Sequence, residues 1–481
     1  MTTTSWKSGV SGDFNTASNW TAGVPAAGDT ALITVTGTYT VTSSVVNSVG
    51  TLEMAKDATL DIADHKVAVT AAGSLAGTID VTNETVLALG ADATTTAFDN
   101  TGTINLKSGT GTLNVSALLG VLGDVTLTGK GDVAMSGSDA MIGTLSSAAT
   151  FTNDSTISGH GVIGDVADSH LSFVNGSKGV VDGNSTGLGI ATDGGSVTNS
   201  GRMEATTGSG LLTLLTDITQ TAKGQIKAAT SGALVRLVNA TVTGGKVSTV
   251  KGAFLSVPNG SSVINVTTPI ANHGTIEVDG GTLDIAGVVK NSGTLLAGGA
   301  ATTSVLALQD AVSGGTAQIQ DSGVIAFEGA TSTAVTFAAG VSGTLDLFDP
   351  LKFTGTVAGM SSAPGALIDL ENIPFADAPS VNFDATKHLL TVTDPVTGTA
   401  DKIKIVGTGS FTASGAADGS TFISDPPASG SGRPSVGASL LVQSMAAFDA
   451  ASGPLGSGSD HLAANARASD FLAAPPHLHH G

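Results

Sequence analysis

Asn272-His-Gly-Thr-Ile-Glu-Val-Asp-Gly-Gly-Thr-Leu-Asp-Ile-Ala-Gly-Val-Val-Lys-Asn-Ser-Gly-Thr-Leu295 begins and ends on the same pentad, Asn-x-Gly-Thr-aliphatic, with its two glycines 19 residues apart. Between the copies, Ile276, Val278, Leu283 and Ile285 alternate with polar residues. A period of two places one set of side chains on one face of a strand, and Thr, Val and Ile suit a pleated surface. Asn, Asp and Gly divide the strands as turn residues do. The stretch predicts short strands that come back to the same place after each repeat.

The pentad recurs outward in both directions, as Asn100-Thr-Gly102-Thr-Ile104, Asn199-Ser-Gly201-Arg-Met203 and Asp321-Ser-Gly323-Val-Ile325, with weaker copies around Gly179 and Gly224. Gly179, Gly201 and Gly224 are 22 and 23 residues apart; Gly274 lies 50 further on, and Gly293, Gly323 and Gly343 follow at 19, 30 and 20. A period of this size is one coil of a solenoid, in which each coil buries its aliphatic face only against its neighbours. The fold class expected is all-β, a parallel β-helix or β-solenoid. At roughly 22 residues per coil, residues 30–348 make about fourteen coils. Asn100, Gly102, Asn199, Gly201, Asn272, Gly274, Asn291, Gly293 and Gly323 are the expected coil corners, where Gly or Asn is expected to supply a left-handed bend. A β-sandwich is the competing reading, but its hallmark buried Trp and disulfide are missing, and it leaves the repeated corner unexplained.

Composition agrees with a folded, weakly charged β protein. Of 481 residues 65 are Gly, 41% are hydrophobic and only 12% are charged, enough apolar matter for a core and too much for a disordered chain. The formal charge of −20 disfavours nucleic acid and anionic lipid as partners, while tolerating hard cations such as Ca²⁺. There is no cysteine, so stacking rather than disulfides must hold the chain together. No apolar run reaches the roughly 20 residues of a membrane span. Met1-Thr-Thr-Thr-Ser-Trp6 lacks the basic and apolar parts of a cleavable export signal, so export, if it occurs, is expected by another route.

The ends differ from the middle. Residues 1–29 hold both tryptophans, Trp6 and Trp20, among many turn residues, and are expected to form an aromatic structural cap over the open end of a solenoid spanning 30–348. Residues 349–427 lose the corner motif and read as a small C-terminal β module. Residues 428–481 read as a Gly/Ser/Pro linker and a tail with the only helix-like segments, Ala438–Ala451 and Asp460–Ala473.

With these residues in view, the opening Asn19-Trp20-x-x-Gly-x-Pro-x-x-Gly-Asp29 and the Asn-x-Gly-Thr-Ile coils resemble the repetitive β-helical surface proteins and adhesins of Gram-negative bacteria. The block Phe353-Thr-Gly-Thr-Val-Ala-Gly359, followed by Leu367-Ile-Asp-Leu370, is similar to a module near the C-terminus of type I secreted proteins of alphaproteobacteria. The resemblance implies an extracellular or cell-surface protein exported by type I machinery through its uncleaved tail. It also implies self-association or contact with surface or matrix polysaccharide. The Gly-Gly-x-Gly-x-Asp repeat of calcium-binding exporters is present only as the fragment Gly280–Asp284.

Catalytic patterns are sparse. Gly159-His-Gly-Val-Ile-Gly164 matches a dinucleotide fingerprint and Gly183-Asn-Ser-Thr-Gly187 a nucleophile elbow, but neither has the strand and helix setting that gives the motif its chemistry. A polysaccharide lyase or hydrolase would need converging acids, and the densest set is Asp165, Asp168, His170 and Asp182. No catalytic residue and no cofactor are expected, Ca²⁺ excepted. Weak metal-ligand candidates are Asp279, Asp284, His477, His479 and His480. The function expected is structural or adhesive, in a layer, matrix or filament, with a carbohydrate-active enzyme or a glycan-binding adhesin as alternatives.

Overall fold

A computed structural model describes residues 1–425, apart from 83, 110–115, 166–169, 193, 300–303 and 364. The fold is nearly all β, 56% strand and 3% helical, and its stacked parallel strands form a β-solenoid of about 15 turns. The helix-like segments and the histidines expected in 428–481 lie outside the described residues. The described chain divides into two compact units, at Val235 and Arg236.

In the first unit each regular turn carries three strands. His170–Asn175, Val180–Asp182 and Leu188–Thr192 make one turn. Each pairs in parallel with the corresponding strand of the turn before and the turn after. Alternation does what the sequence predicts: Leu171 and Phe173 point into the turn and are fully buried. Register then piles Val125, Phe151, Phe173, Val197 and Ile218 into one interior column, with the Phe151 and Phe173 rings stacked 6.0 Å apart. Earlier turns depart from this plan, because the long strands Val86–Asn100 and Ala117–Thr128 run continuously across two sides. They bend where Gly123, at φ 68°, faces the four residues between Gly90 and Thr95. Glycine takes that angle without the strain a Cβ would add.

The ladder begins inside the 1–29 segment rather than at Thr30. Thr3–Ser5 pairs with Thr30–Ile33, and Gly12–Asp13 with Tyr39–Ser43. The aromatic cluster sits on this first turn. The Trp6 and Trp20 rings meet edge to face at 5.2 Å, and Phe14 packs against Trp20 at 5.0 Å. Trp20 Nε1 donates to the Phe14 carbonyl at 2.6 Å and Trp6 Nε1 to the Val10 carbonyl at 3.1 Å, so the buried indoles leave no orphaned N–H.

The second unit repeats the three-strand turn, for example Ser261–Asn265, Ile270–Asn272 and Thr275–Val278. Two of its ladders continue past Phe348 through Thr356–Ala358 and Leu367–Leu370. One ladder runs on in parallel from Thr356–Ala358 to Ala400–Val406, and antiparallel pairs join: Thr421–Ser424 lies against Leu367–Leu370, and Leu389–Thr393 against Ala400–Val406. The block that reads as a separate module therefore grows directly out of the solenoid ladders.

The corner motif has a different physical basis from the one its composition suggests. Asn199, Asn272 and Asn291 are buried inside the turn and bond to their counterparts one turn away. In the first unit Asn153 Nδ2 donates to Asn175 Oδ1 at 3.0 Å, Asn175 Nδ2 to Asn199 Oδ1 at 2.9 Å, and Asn199 Nδ2 to Gln220 Oε1 at 3.0 Å. In the second, Asn272 Nδ2 donates to Asn291 Oδ1 at 2.8 Å. Asn100 joins no such ladder because its partner in register is Leu75.

The corner glycines are also not left-handed, which corrects the expectation from sequence: Gly102, Gly201, Gly274, Gly293 and Gly323 all lack a positive φ, as do the four corner asparagines. Their requirement is proximity. A Cβ on Gly201 would fall on the Gly179 carbonyl oxygen, and one on Gly293 on that of Gly274. These oxygens are held in place by the ladder, accepting from Arg202 N at 3.0 Å and Thr294 N at 2.8 Å.

Asn199→Ala should therefore weaken the first unit. It removes the acceptor for Asn175 Nδ2 and the donor to Gln220, buried groups whose loss costs about 2 kcal/mol. A urea titration followed by circular dichroism checks this, and an unchanged midpoint would count against the ladder.

Candidate functional site

Of the acid and histidine candidates in the 165–182 segment, the two whose side chains are described, His170 and Asp182, do not converge. His170 is an exposed residue in the ladder that contains Ala148–Asn153, whereas Asp182 belongs to the other sheet, beside Ser158 and Glu204. Three-strand turns put those two segments on different sides. Asp182 is already engaged, accepting from Thr206 Oγ1 at 2.9 and 2.7 Å through its two oxygens. Asp168 and the Asp165 side chain lie outside the described residues. Gly159–Gly164 turns a corner between Thr156–Gly159 and Gly161–Asp165, and Gly183–Gly187 links two strands, so neither has a helix to bind phosphate or expose a nucleophile.

Among the metal candidates, Asp284 is buried but its partners in register are Val263 and Ala307. Burial, followed by the negative charge of Asp321, pushes the Asp279 carboxyl upward. Neither is part of a cluster of three potential ligands among the described residues. His477, His479 and His480 lie outside those residues.

A cluster does exist elsewhere in the second unit. Asp346 on Thr344–Leu347 and Asp369 on Leu367–Leu370 are direct partners in the parallel register. Leu345, Leu347, Ile368 and Leu370 fill the turn's interior, so alternation aims both aspartates out of the opposite face. Glu371 follows on that same face. An outward acid is normally solvated, yet Asp346 is only 4% exposed and Asp369 fully buried. Two features adjoin them. Val305, Ala307, Val324 and Ala326 form an apolar strip with Phe348 on it, and this strip runs in register to Asp346 through Ala326. From the other side comes the loop between Thr412–Gly415 and Thr421–Ser424, whose Ser420 Oγ donates to Asp369 Oδ1 at 2.6 Å.

The ligand atoms of Asp346, Asp369 and Glu371 lie within 4.8 Å of one another. Asp346 Oδ1, Asp369 Oδ2, Glu371 Oε1 and the nearby Glu328 Oε1 are buried and accept no hydrogen bond. Ion pairs among the described residues fall elsewhere, at Asp64, Asp80, Glu204, Asp349 and Asp384. Burial, followed by the charges of Asp369, Glu371, Asp418 and Glu328, holds the Asp346 carboxyl well above its usual range. Burial lifts Asp369 to about 7 against the opposing bond from Ser420, with Glu371 and Asp418 adding to the rise. Glu371 is raised by burial and by Asp418.

These directions fix the sign of a pH effect. A carboxyl that holds its proton more tightly folded than unfolded stabilises the fold below its unfolded pKa, and loses that contribution as pH rises through its folded pKa. For Asp369 the window runs from about 4 to about 7. The chelator-treated protein is expected to resist urea better at about pH 5 than at about pH 8, and Asp369→Asn should flatten that dependence. A midpoint that instead climbs steadily with pH in both proteins would contradict the cluster's electrostatics.

Sequence reasoning missed this site, although a signal was present. Leu345-Asp-Leu347 and Ile368-Asp-Leu370 place identical acids between aliphatics 23 residues apart, one coil length. No protein-family model matches the chain, and no curated protein matches it.

Proposed function

We propose that this chain is a non-catalytic structural or adhesive solenoid of the cell exterior, exported by a type I route through residues 428–481, that forms or decorates a surface layer, matrix or filament. The observation that carries this reading is where its polar side chains are spent. The asparagines inside the turns bond to one another, and His170 and Asp182, two of the four side chains that could have served a lyase or hydrolase, sit on different sheets. Such a chain gains mechanical continuity from each added turn, without cysteine.

The first turn argues for contacts through the sides of the solenoid rather than by strand addition at that end. Asn19–Thr21 already occupies the edge of the first strand: Thr21 N donates to Ser5 O and Ser5 N to Thr21 Oγ1, both at 2.9 Å, and Lys7 N to Asn19 O at 2.9 Å. A self-covered edge resists templating another chain. For polysaccharide, a polar groove of about 540 Å³ in the first unit offers a landing place, lined by Lys56, Thr101, Thr103, Lys130, Asp132 and Thr156. Its ammonium and hydroxyl groups suit acidic or hydroxyl-rich glycans.

Immunogold labelling of intact source cells, with and without residues 428–481, tests the exterior role. Surface labelling that disappears on deletion is the expected result. A protein confined to the cytosol in both cases would overturn it. Electron microscopy of the purified chain and a glycan-binding screen then separate assembly from adhesion.

A further inference from the structure

We propose that Asp346, Asp369 and Glu371 form a binding site for one hard divalent cation, Ca²⁺ in preference to Mg²⁺. The inference goes beyond the structural role and does not depend on where the protein resides. Its first support is the ligand set. Three carboxylates offer oxygen alone, without sulfur or imidazole, which favours hard ions such as Ca²⁺, Mg²⁺ and Mn²⁺ over softer transition metals. Its second is spacing. Oxygens bound at about 2.4 Å on opposite sides of one Ca²⁺ are about 4.8 Å apart, so ligand atoms no farther apart than 4.8 Å can share an ion.

The third support is independent of the acids being clustered. Asp346 is 4% exposed, one of its carboxylate oxygens lies within 4.8 Å of the other two ligand atoms, and its Oδ1 is buried and accepts no hydrogen bond. Asp369, fully buried, satisfies Oδ1 through Ser420 and leaves Oδ2 without a donor. A buried carboxylate is ordinarily kept by a donor or a positive charge, and a cation supplies the charge to all of these oxygens together. Burial also decides between ions. Mg²⁺ sheds its water reluctantly and demands a strict octahedron at about 2.0 Å, whereas Ca²⁺ accepts irregular oxygen cages.

The site joins elements far apart in sequence. Asp346 and Asp369 come from successive turns, and Asp418 and Ser420 stand in the loop of a hairpin that reaches Asp369 across 51 residues. An ion here would pin that hairpin to the last turns of the ladder.

The test uses the full chain after chelation, titrated calorimetrically with CaCl₂ and, separately, MgCl₂ near pH 7.5, with thermal unfolding in parallel. One Ca²⁺ per chain is expected to bind in the wild type and to be lost in Asp369→Asn, which keeps an oxygen for Ser420. Asp346→Asn should behave alike. Both variants should melt independently of Ca²⁺ and no lower than the metal-free wild type, which separates loss of a ligand from loss of fold. Glu371→Gln should weaken Ca²⁺ at least tenfold, and Mg²⁺ should bind more weakly than Ca²⁺. The proposal fails if the wild type binds no Ca²⁺ up to about 10 mM, well above the range of weak extracellular sites. It fails equally if either aspartate variant keeps the wild-type stoichiometry, which would place the ions on the general acidic surface.

Discussion

Gly293→Ala is expected to destabilise the second unit by about 3 to 4 kcal/mol, among the larger costs for adding a single methyl group. The new Cβ would land on the carbonyl oxygen of Gly274 and lie 2.9 Å from its carbonyl carbon. Neither side can yield cheaply, because that oxygen accepts the ladder bond from Thr294 N at 2.8 Å, and retreating would break it. The backbone angle contributes nothing, since Gly293 is not left-handed. Gly340 is the matched control, with φ +79° and open space around its Cβ position. Gly340→Ala should cost only about 1 to 2 kcal/mol of backbone strain. Urea unfolding of the two variants followed by circular dichroism separates crowding from conformation. If Gly340→Ala proved the more damaging, the close-approach account of the corner would be wrong.

Trp20→Ala is the second large effect, a loss of about 3 to 5 kcal/mol from the first unit. Trp20 is 1% exposed and stands between Trp6 and Phe14, edge on to both. Removing the indole also deletes its bond to the Phe14 carbonyl and unseats Asn19–Thr21 from the first strand. The edge of Thr3–Ser5 would then be open to pairing with other molecules. A lowered unfolding midpoint accompanied by concentration-dependent light scattering is the expected outcome. A lower midpoint with no scattering would confine the role of Trp20 to packing.

Much of the fold is legible in the sequence because a solenoid turns local pattern directly into structure. Ile276 and Val278 alternate with polar residues and are interior, and Asn291 lies 19 residues after Asn272 and bonds to it. What escaped was the reason for the motif. From composition, Asn-x-Gly reads as a left-handed bend, while the structure uses Asn for a bond between turns and Gly for the closeness that the bond demands. Both readings predict the same letters, and only the backbone angles and the bond partners distinguish them.

The acidic site was harder to read for a related reason. Alternation correctly assigns Asp346 and Asp369 to the outer face, where solvent is the ordinary expectation. They are buried where the strip around Ala326, with Phe348 on it, adjoins Asp346 and where the Ser420 loop reaches Asp369, surroundings that no repeat encodes. His170 and Asp182, by contrast, are close in sequence but are placed on different sides by the three-strand turn.

The aromatic cluster of the first turn has an optical consequence. Trp6 and Trp20 are the only indoles among 481 residues, and both are buried within that turn. Light absorbed at the red edge of the protein band is therefore collected and re-emitted by one small region, while every later coil stays dark. Emission colour reports the opening of that end alone, and far-ultraviolet dichroism reports the strands throughout. Recorded on the same sample, the two signals give a clock for whether this solenoid comes apart from its first turn or from somewhere along its length.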